Sequence, residues 1–296
     1  MKFEYTQNNH IQSGIKDGEY FFNYGKTKSH STWREECKLA AAEMYEKHGD
    51  DLIICLSGGV DSETVLNSFT ANGIKPKVAV MRYERNNNLH DINYAFRALA
   101  KNYISPIIVD INVEDFFKNN LLEFSESSRC SSPQVNLLMY HANRLDGIPV
   151  LGTGENFLTR KYGEVEVYDL ECQKETNLYT FFQSIDRECI PAFFQYTPAQ
   201  MVSFLQKESV YQWVETAKKN RYISTKKIKQ TIMSEDFDLE ARPKLTGFEM
   251  YNDLDSEYRN LLVQKNFNDT GEIYTEFTEY IESFGVELLR PIRYET

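Results

Sequence analysis

Residues 51–69 read DLIICLSGGVDSETVLNSF, and the break in the middle of this stretch decides the fold. Residues 52–56 form a short, apolar, partly β-branched run, the pattern of a buried strand. Val65, Leu66 and Phe69 recur at i, i+1 and i+4, the spacing of a helix core face. Between them stand Ser57, Gly58, Gly59, Val60, Asp61 and Ser62. A strand that enters a helix through paired glycines can bring its backbone close to an anion. The first turn of the helix adds unpaired N–H groups and the positive end of its dipole.

Outward from this break, strands and helices alternate. KPKVAVMRY (75–83) reads as a second strand, with Val78, Ala79 and Val80 apolar on both faces. HDINYAFRALAKNY (90–103) reads as a helix whose core face carries Ile92, Ala95, Phe96 and Leu99. SPIIVDINV (105–113) is a third strand, and SPQVNLLMYHANRL (132–145) is a helix opened by Pro133. IPVLGTG (148–154) is a fourth strand ending in glycines, and EVEVYDLE (164–171) is a fifth strand or half of a hairpin. Upstream, Ser31, Thr32 and Glu35 resemble a capping box for a helix to about residue 47, and EYFFNYG (19–25) reads as a short hairpin or edge strand. After Pro198 the pattern turns helical, with amphipathic stretches at 198–220 and 256–267. The alternation over residues 50–150 predicts an α/β fold with a doubly wound parallel sheet. Such sheets bind ligands at the carboxyl ends of their strands, near the point where strand order reverses.

The glycine break is neither of two common phosphate loops. A Walker A loop needs a Lys after its second glycine, and none follows Gly59. The dinucleotide pattern needs three spaced glycines, and Gly58 and Gly59 are adjacent. What remains, S-G-G-V-D-S at 57–62, resembles the PP-loop of the ATP pyrophosphatase superfamily, of the adenine nucleotide alpha-hydrolase-like (HUP) kind. The residue types suit that chemistry. The hydroxyls of Ser57 and Ser62 can donate to phosphate oxygens, and backbone N–H groups around Gly58, Gly59 and Val60 can form an anion nest. Asp61 would repel phosphate directly, so its useful role is to hold Mg²⁺, a hard cation that prefers carboxylate and phosphate oxygens. The bland reading is a strand–helix turn with Ser62 as a cap.

The resemblance implies a strand order of 3-2-1-4-5, which sets Ser57 and Gly152 on neighbouring strand ends. It also implies ATP and Mg²⁺ as cofactors. The loop Gly152, Thr153, Gly154 would complete the ATP site, with Glu155 as a second metal ligand in place of the more usual Asp. Arg160 and Lys161 would stabilise charge on a pyrophosphate leaving group. Met81 would pack on the adenine, or serve only as core filler. Arg82 and Arg85 would reach phosphates or a second substrate, and SSRCSSPQ (127–134) is an acceptor loop or a surface loop. His90 and His141 have no partner at metal-ligand spacing and read as structural.

Bulk properties narrow the class further. At 41% hydrophobic and 26% charged residues, the composition is that of a soluble globular protein. No apolar run reaches the length of a membrane span, and no secretory signal precedes the first acidic residues. Five cysteines without a C-x-x-C pair argue for a reducing compartment, the cytoplasm, and against a zinc or iron–sulfur site. A formal net charge of −11 argues against general nucleic-acid binding. Charge is uneven: residues 207–229 hold seven basic and two acidic side chains, whereas 235–296 hold fifteen acidic and six basic. The basic stretch is a solvated helix face or a cover for a phosphate-rich ligand.

Within the superfamily, the chain lacks the N-terminal Cys nucleophile of asparagine synthetases, the paired cysteines of many tRNA thiolation enzymes and the C-terminal Cys motif of PAPS reductases. Its V-D-S form is closer to the amide- and nitrile-forming synthetases, such as cyano-deazaguanine synthases. The expected organisation is an N-terminal extension and helix at 1–48, an ATP-binding domain at 49–196 and a helical subdomain at 197–296. The expected activity is cleavage of ATP to AMP and pyrophosphate, adenylating an acceptor oxygen for attack by a nitrogen nucleophile. A sulfurtransferase and a nucleotide-binding protein without transfer chemistry are the alternatives.

Overall fold

The computed structural model describes residues 30–154, 177–210, 212, 228–243 and 245–262 with their side chains. Of the elements at 3–6, 11–16, 19–24, 158–160, 168–170, 173–176, 223–224, 263–264 and 273–274 it describes the backbone. Strands β1 (Phe3–Thr6), β2 (Ile11–Lys16) and β3 (Glu19–Tyr24) form an antiparallel meander. The helix α1 (Trp33–His48) follows, and its N-cap Thr32 accepts from the Glu35 N–H at 3.4 Å. The expected reciprocal bond from Glu35 is replaced: its carboxylate accepts from Lys38 at 2.9 Å, while Glu36 accepts from the Ser31 N–H at 2.5 Å.

The central sheet contains β4 (Leu52–Cys55), β5 (Lys77–Tyr83), β6 (Ile107–Ile111) and β7 (Ile148–Leu151), all parallel, in the order β6-β5-β4-β7. Helices α2 (Val60–Thr70) and α3 (Leu89–Lys101) follow β4 and β5. Three helices, α4 (Val113–Asn119), α5 (Leu121–Ser128) and α6 (Pro133–Ala142), carry the chain from β6 to β7. Alternate residues of the strands serve opposite faces. Leu52, Ile54, Val78, Val80 and Val150 join a core with α1, α2 and α3. Ile53, Cys55, Ala79 and Leu151 join another with α6 and α7 (Gln173–Ser184). Burial on both faces explains why these strands read as continuous apolar runs.

Of the two readings of residues 164–171, a fifth strand or half of a hairpin, the described part fits the second. Its β9 (Tyr168–Leu170) pairs antiparallel with β8 (Leu158–Arg160), in a second sheet completed by β10 (Ile223–Ser224) and β11 (Ile273–Tyr274). Beside β7, Ile190 makes a single parallel bridge to Val150, donating to the Pro149 carbonyl at 2.8 Å. The expected order therefore holds for four strands, with one bridge where a fifth would lie. One expectation needs correction: Phe96 is exposed, while Ala98 takes a place on the buried face of α3.

The helices α8 (Pro198–Leu205) and Lys229–Phe237 pack into the same core as α1 through Met201, Phe204, Ile232 and Met233. Phe248, Tyr251 and Leu262 cluster with Phe116 and Phe117 of α4. Among the described residues no helix is long and apolar enough to cross a membrane.

Candidate functional site

The order β6-β5-β4-β7 places the reversal of the chain's winding between β4 and β7, and both strands end there in glycine-containing loops. After β4, the backbone turns at Gly58 with φ +89, a conformation that side chains rarely adopt. A Cβ at Gly58 would run into the backbone carbonyl of Asp91 at the start of α3. Gly59 occupies the N-cap position of α2 with no side chain to satisfy the first N–H groups. The loop's hydroxyls bond to one another instead. Ser57 and Ser62 Oγ atoms lie 3.0 Å apart, the Ser57 N–H donates to Ser62 Oγ at 3.1 Å, and the Gly59 N–H donates to Ser57 Oγ at 3.2 Å. Val60, by contrast, is buried in the core.

Cations reach this loop from a distant part of the chain. Lys229 Nζ lies 2.5 Å from Asp61 Oδ2, with both side chains largely buried. Arg242 Nη1 donates to the Gly58 carbonyl at 2.9 Å, Nη2 pairs with Glu63, and the guanidinium sits over the Tyr94 ring at 4.5 Å. Sequence reasoning named neither residue. Lys229 closes the basic stretch that drew attention, but nothing in its local pattern separates it from its neighbours. Arg242 stands alone in ARPK with no signal at all. Of the other basic residues of that stretch, Lys207 pairs with Asp236 at 2.7 Å. Lys218, Lys219, Arg221, Lys226 and Lys227 lie outside the described residues.

The loop after β7 meets the first. A Cβ at Gly152 would stand 3.0 Å from Cα and N of Ser62, so the glycine permits close approach to the first turn of α2. Thr153 is buried, and its hydroxyl donates to the Pro191 carbonyl at 2.5 Å. Gly154 has φ +85, and a Cβ there would lie 2.7 Å from Ala192 Cβ. Glu155 and Lys161 lie outside the described residues, and of Arg160 only the β8 backbone is described.

At the end of β5, Met81 is half-buried between two hydrophobic clusters, and its carbonyl accepts from Asn88 Nδ2 at 2.9 Å. Arg82 pairs with Asp110 at 2.6 Å and Arg85 with Glu114 at 3.4 Å, around a cavity of about 580 Å³ at the ends of β5 and β6. The 127–134 loop is not a plain surface loop. Ser128 and Cys130 are buried, and Asn136 ties both together by accepting from the Ser128 hydroxyl at 2.6 Å and donating to the Cys130 carbonyl at 2.9 Å.

Cys37, Cys55, Cys130 and Cys189 are buried. Burial pushes the Cys55 thiol up to about 12 and raises Cys37 and Cys189 as well, which leaves them weak nucleophiles. His141 is pushed down to about 4 by burial and by Arg144. Among the described residues no group of three His, Cys, Asp or Glu side chains could hold a metal by itself. The carboxylate of Asp61 is nonetheless aimed at a positive charge, the Lys229 ammonium. One carboxylate suits Mg²⁺, which usually takes one or two and fills its shell with phosphate oxygens and water.

No family model matches the sequence, and no curated protein matches it. Among solved structures, one similar chain is an NMN synthetase from Francisella tularensis. Its identity is 13% and its TM-score 0.31, over 72% of this chain and 97% of that one. A glutamine-dependent NAD+ synthetase from Acinetobacter baumannii, solved in complex with ADP, is 11% identical. Its TM-score is 0.34, over 92% of this chain and 54% of that one. Similarities this low assign neither a family nor an activity, and the case for function rests on the loop itself.

Proposed function

We propose that this chain is an ATP-dependent synthetase that cleaves ATP to AMP and pyrophosphate. The observation that carries the reading is the S-G-G-V-D-S loop at the strand-order reversal of a parallel sheet, with two hydroxyls and the Gly59 N–H converging in it. A phosphate group entering the loop would take over hydrogen bonds that Ser57, Gly59 and Ser62 now make to one another. The helix dipole of α2 would add a favourable field.

In this reading an acceptor oxygen attacks the α-phosphorus, and the bond to the β-phosphate's bridging oxygen breaks. Pyrophosphate leaves from the loop. A nitrogen nucleophile then attacks the activated carbon, and AMP departs with the acceptor oxygen. Adenylation turns a poor oxygen leaving group into a good one, and the protein contributes mainly positioning and charge neutralisation. Asp61 would hold Mg²⁺, which would supply neutralisation of phosphate charge. Lys229, here paired with Asp61, would be the cation nearest that carboxylate to share the task. Glu155 as a second metal ligand, Arg160 and Lys161 at the leaving group and Met81 at the adenine complete the proposed site, and Gly152, with Thr153 and Gly154 behind it, only brings the second loop against the first. The cytoplasm suits a chain whose five cysteines include no C-x-x-C pair.

One observation favours a second reading, a nucleotide-binding protein without transfer: Lys229 already neutralises Asp61. Sulfur transfer has no such support, because the described cysteines are buried. The test is pyrophosphate release from ATP and Mg²⁺ in the presence of pooled acids, amides and lactams with ammonia. Release that depends on one pool supports the synthetase. ATP binding without release under every pool supports the binding protein.

A further inference from the structure

We infer that Arg242 is a positioning residue that locks the Gly58–Gly59 peptide with its N–H facing the anion, an inference that rests on the phosphate-loop reading above. A trans peptide is planar, so its C=O and N–H point in opposite directions. Arg242 Nη1 holds the Gly58 carbonyl at 2.9 Å on one side of the loop. On the other side the Gly59 N–H points at Ser57 Oγ, among the hydroxyls that would meet a phosphate. Two adjacent glycines lack the side chains that resist rotation of the peptide between them. Flipped, the same peptide would present its carbonyl oxygen to the phosphate and repel it. The orientation therefore depends on what holds the Gly58 carbonyl.

Arg242 is built for that task. It is 7% exposed, and its fork spans two acceptors at once, the Gly58 carbonyl and the Glu63 carboxylate. Pairing with Glu63 offsets the burial of its charge, and the Tyr94 ring fixes the plane of the guanidinium. Asp91, whose carbonyl closes the space beside Gly58, also faces Arg242. Its carboxyl is raised by burial and accepts from the Leu245 backbone. On the other side of the arginine, Glu240 pairs with Arg97 at 3.2 Å, so the segment is anchored to α3 on both sides. A lysine would keep the charge for Glu63 but, as a point donor, would not bridge both acceptors.

The test is calorimetric titration with inorganic pyrophosphate and Mg²⁺, and separately with ATP and Mg²⁺. It compares the parent chain, Arg242→Lys and Leu99→Ala, a core truncation at the far end of α3. Loss of a hydrogen bond from a charged donor should weaken pyrophosphate binding about tenfold or more in Arg242→Lys. In Leu99→Ala the melting temperature should fall at least as far while affinity stays within about twofold. The Gly59 amide resonance should shift on pyrophosphate addition in the parent chain and respond weakly in Arg242→Lys. Parent-like pyrophosphate affinity in Arg242→Lys, or an equal loss in Leu99→Ala, overturns the inference and leaves the phosphate-loop reading standing. A parent chain that binds neither pyrophosphate nor ATP overturns both.

Discussion

The two glycine loops at the strand-order reversal look alike in sequence and differ in how their polar groups are used. In the loop after β4, Ser57, Gly59 and Ser62 bond to each other, bonds that an incoming anion can replace. In the loop after β7, the Thr153 hydroxyl is committed to the Pro191 carbonyl, and Gly154 packs against Ala192. Gly152 lets one loop approach the other. The hydroxyls of the first loop bond within it, whereas that of the described part of the second is tied to the rest of the fold. Glycine in a loop can mean close approach of a phosphate or close approach of the protein's own backbone, and only hydrogen-bond partners separate the two.

The sharpest break of this comparison is at the glycines with positive φ. Gly58→Ala forces a Cβ into the backbone of Asp91. It should cost about 2–4 kcal/mol of stability and abolish nucleotide binding. Gly154→Ala, also strained and close to Ala192, should cost about 1–3 kcal/mol while the folded protein keeps its ATP affinity within about threefold. Thermal melts paired with ATP titration check both, and equal affinity losses would erase the distinction between the loops.

Asp61→Asn should lower Mg²⁺-dependent pyrophosphate release about a hundredfold or more with the fold retained. Unchanged turnover across a Mg²⁺ titration would reduce Asp61 to a charge at the start of α2. Smaller effects should fall on opposite readouts at the two hydroxyls. Thr153→Val removes a buried donor and should cost about 1–2 kcal/mol of stability with affinity preserved. Ser62→Ala should weaken ATP binding about tenfold with less change in stability. The reverse pattern would exchange the roles of the loops.

The mildest effect concerns pH and should leave both loops alike. His141 has a folded pKa lowered to about 4 by burial and by Arg144. Its neutral form therefore favours the native state above the ordinary histidine value, and that contribution is lost as pH falls toward the folded value. Between pH 7 and pH 5 this should cost on the order of 1–2 kcal/mol, absent in His141→Phe. Melting curves at both pH values measure it, and an identical acid loss in the variant would assign the effect to other groups.

The parallel sheet was legible because its inner strand β4 is buried on both faces, and continuous apolar runs such as residues 52–56 have few other homes. For EVEVYDLE the alternation left a fifth strand and half of a hairpin both open, and only the antiparallel pairing of 168–170 with 158–160 separates them. Phe96 misled because apolar spacing cannot say where a helix's buried face ends. In the site, Ser57, Gly58, Gly59, Asp61 and Ser62 were legible as a local pattern. Lys229 and Arg242 were not, because they reach the loop across about 170 to 180 residues of chain, and no local periodicity encodes such a contact.

The central claim, that the loop between β4 and α2 is a phosphate site, is tested most directly by a crystal structure with ATP and Mg²⁺. The account predicts phosphate oxygens within hydrogen-bond distance of Ser57 Oγ, Ser62 Oγ and the Gly59 N–H, with Arg242 still on the Gly58 carbonyl and Lys229 moved off Asp61. A nucleotide bound with its phosphates elsewhere, and the Ser57–Ser62 bonds intact, would contradict it.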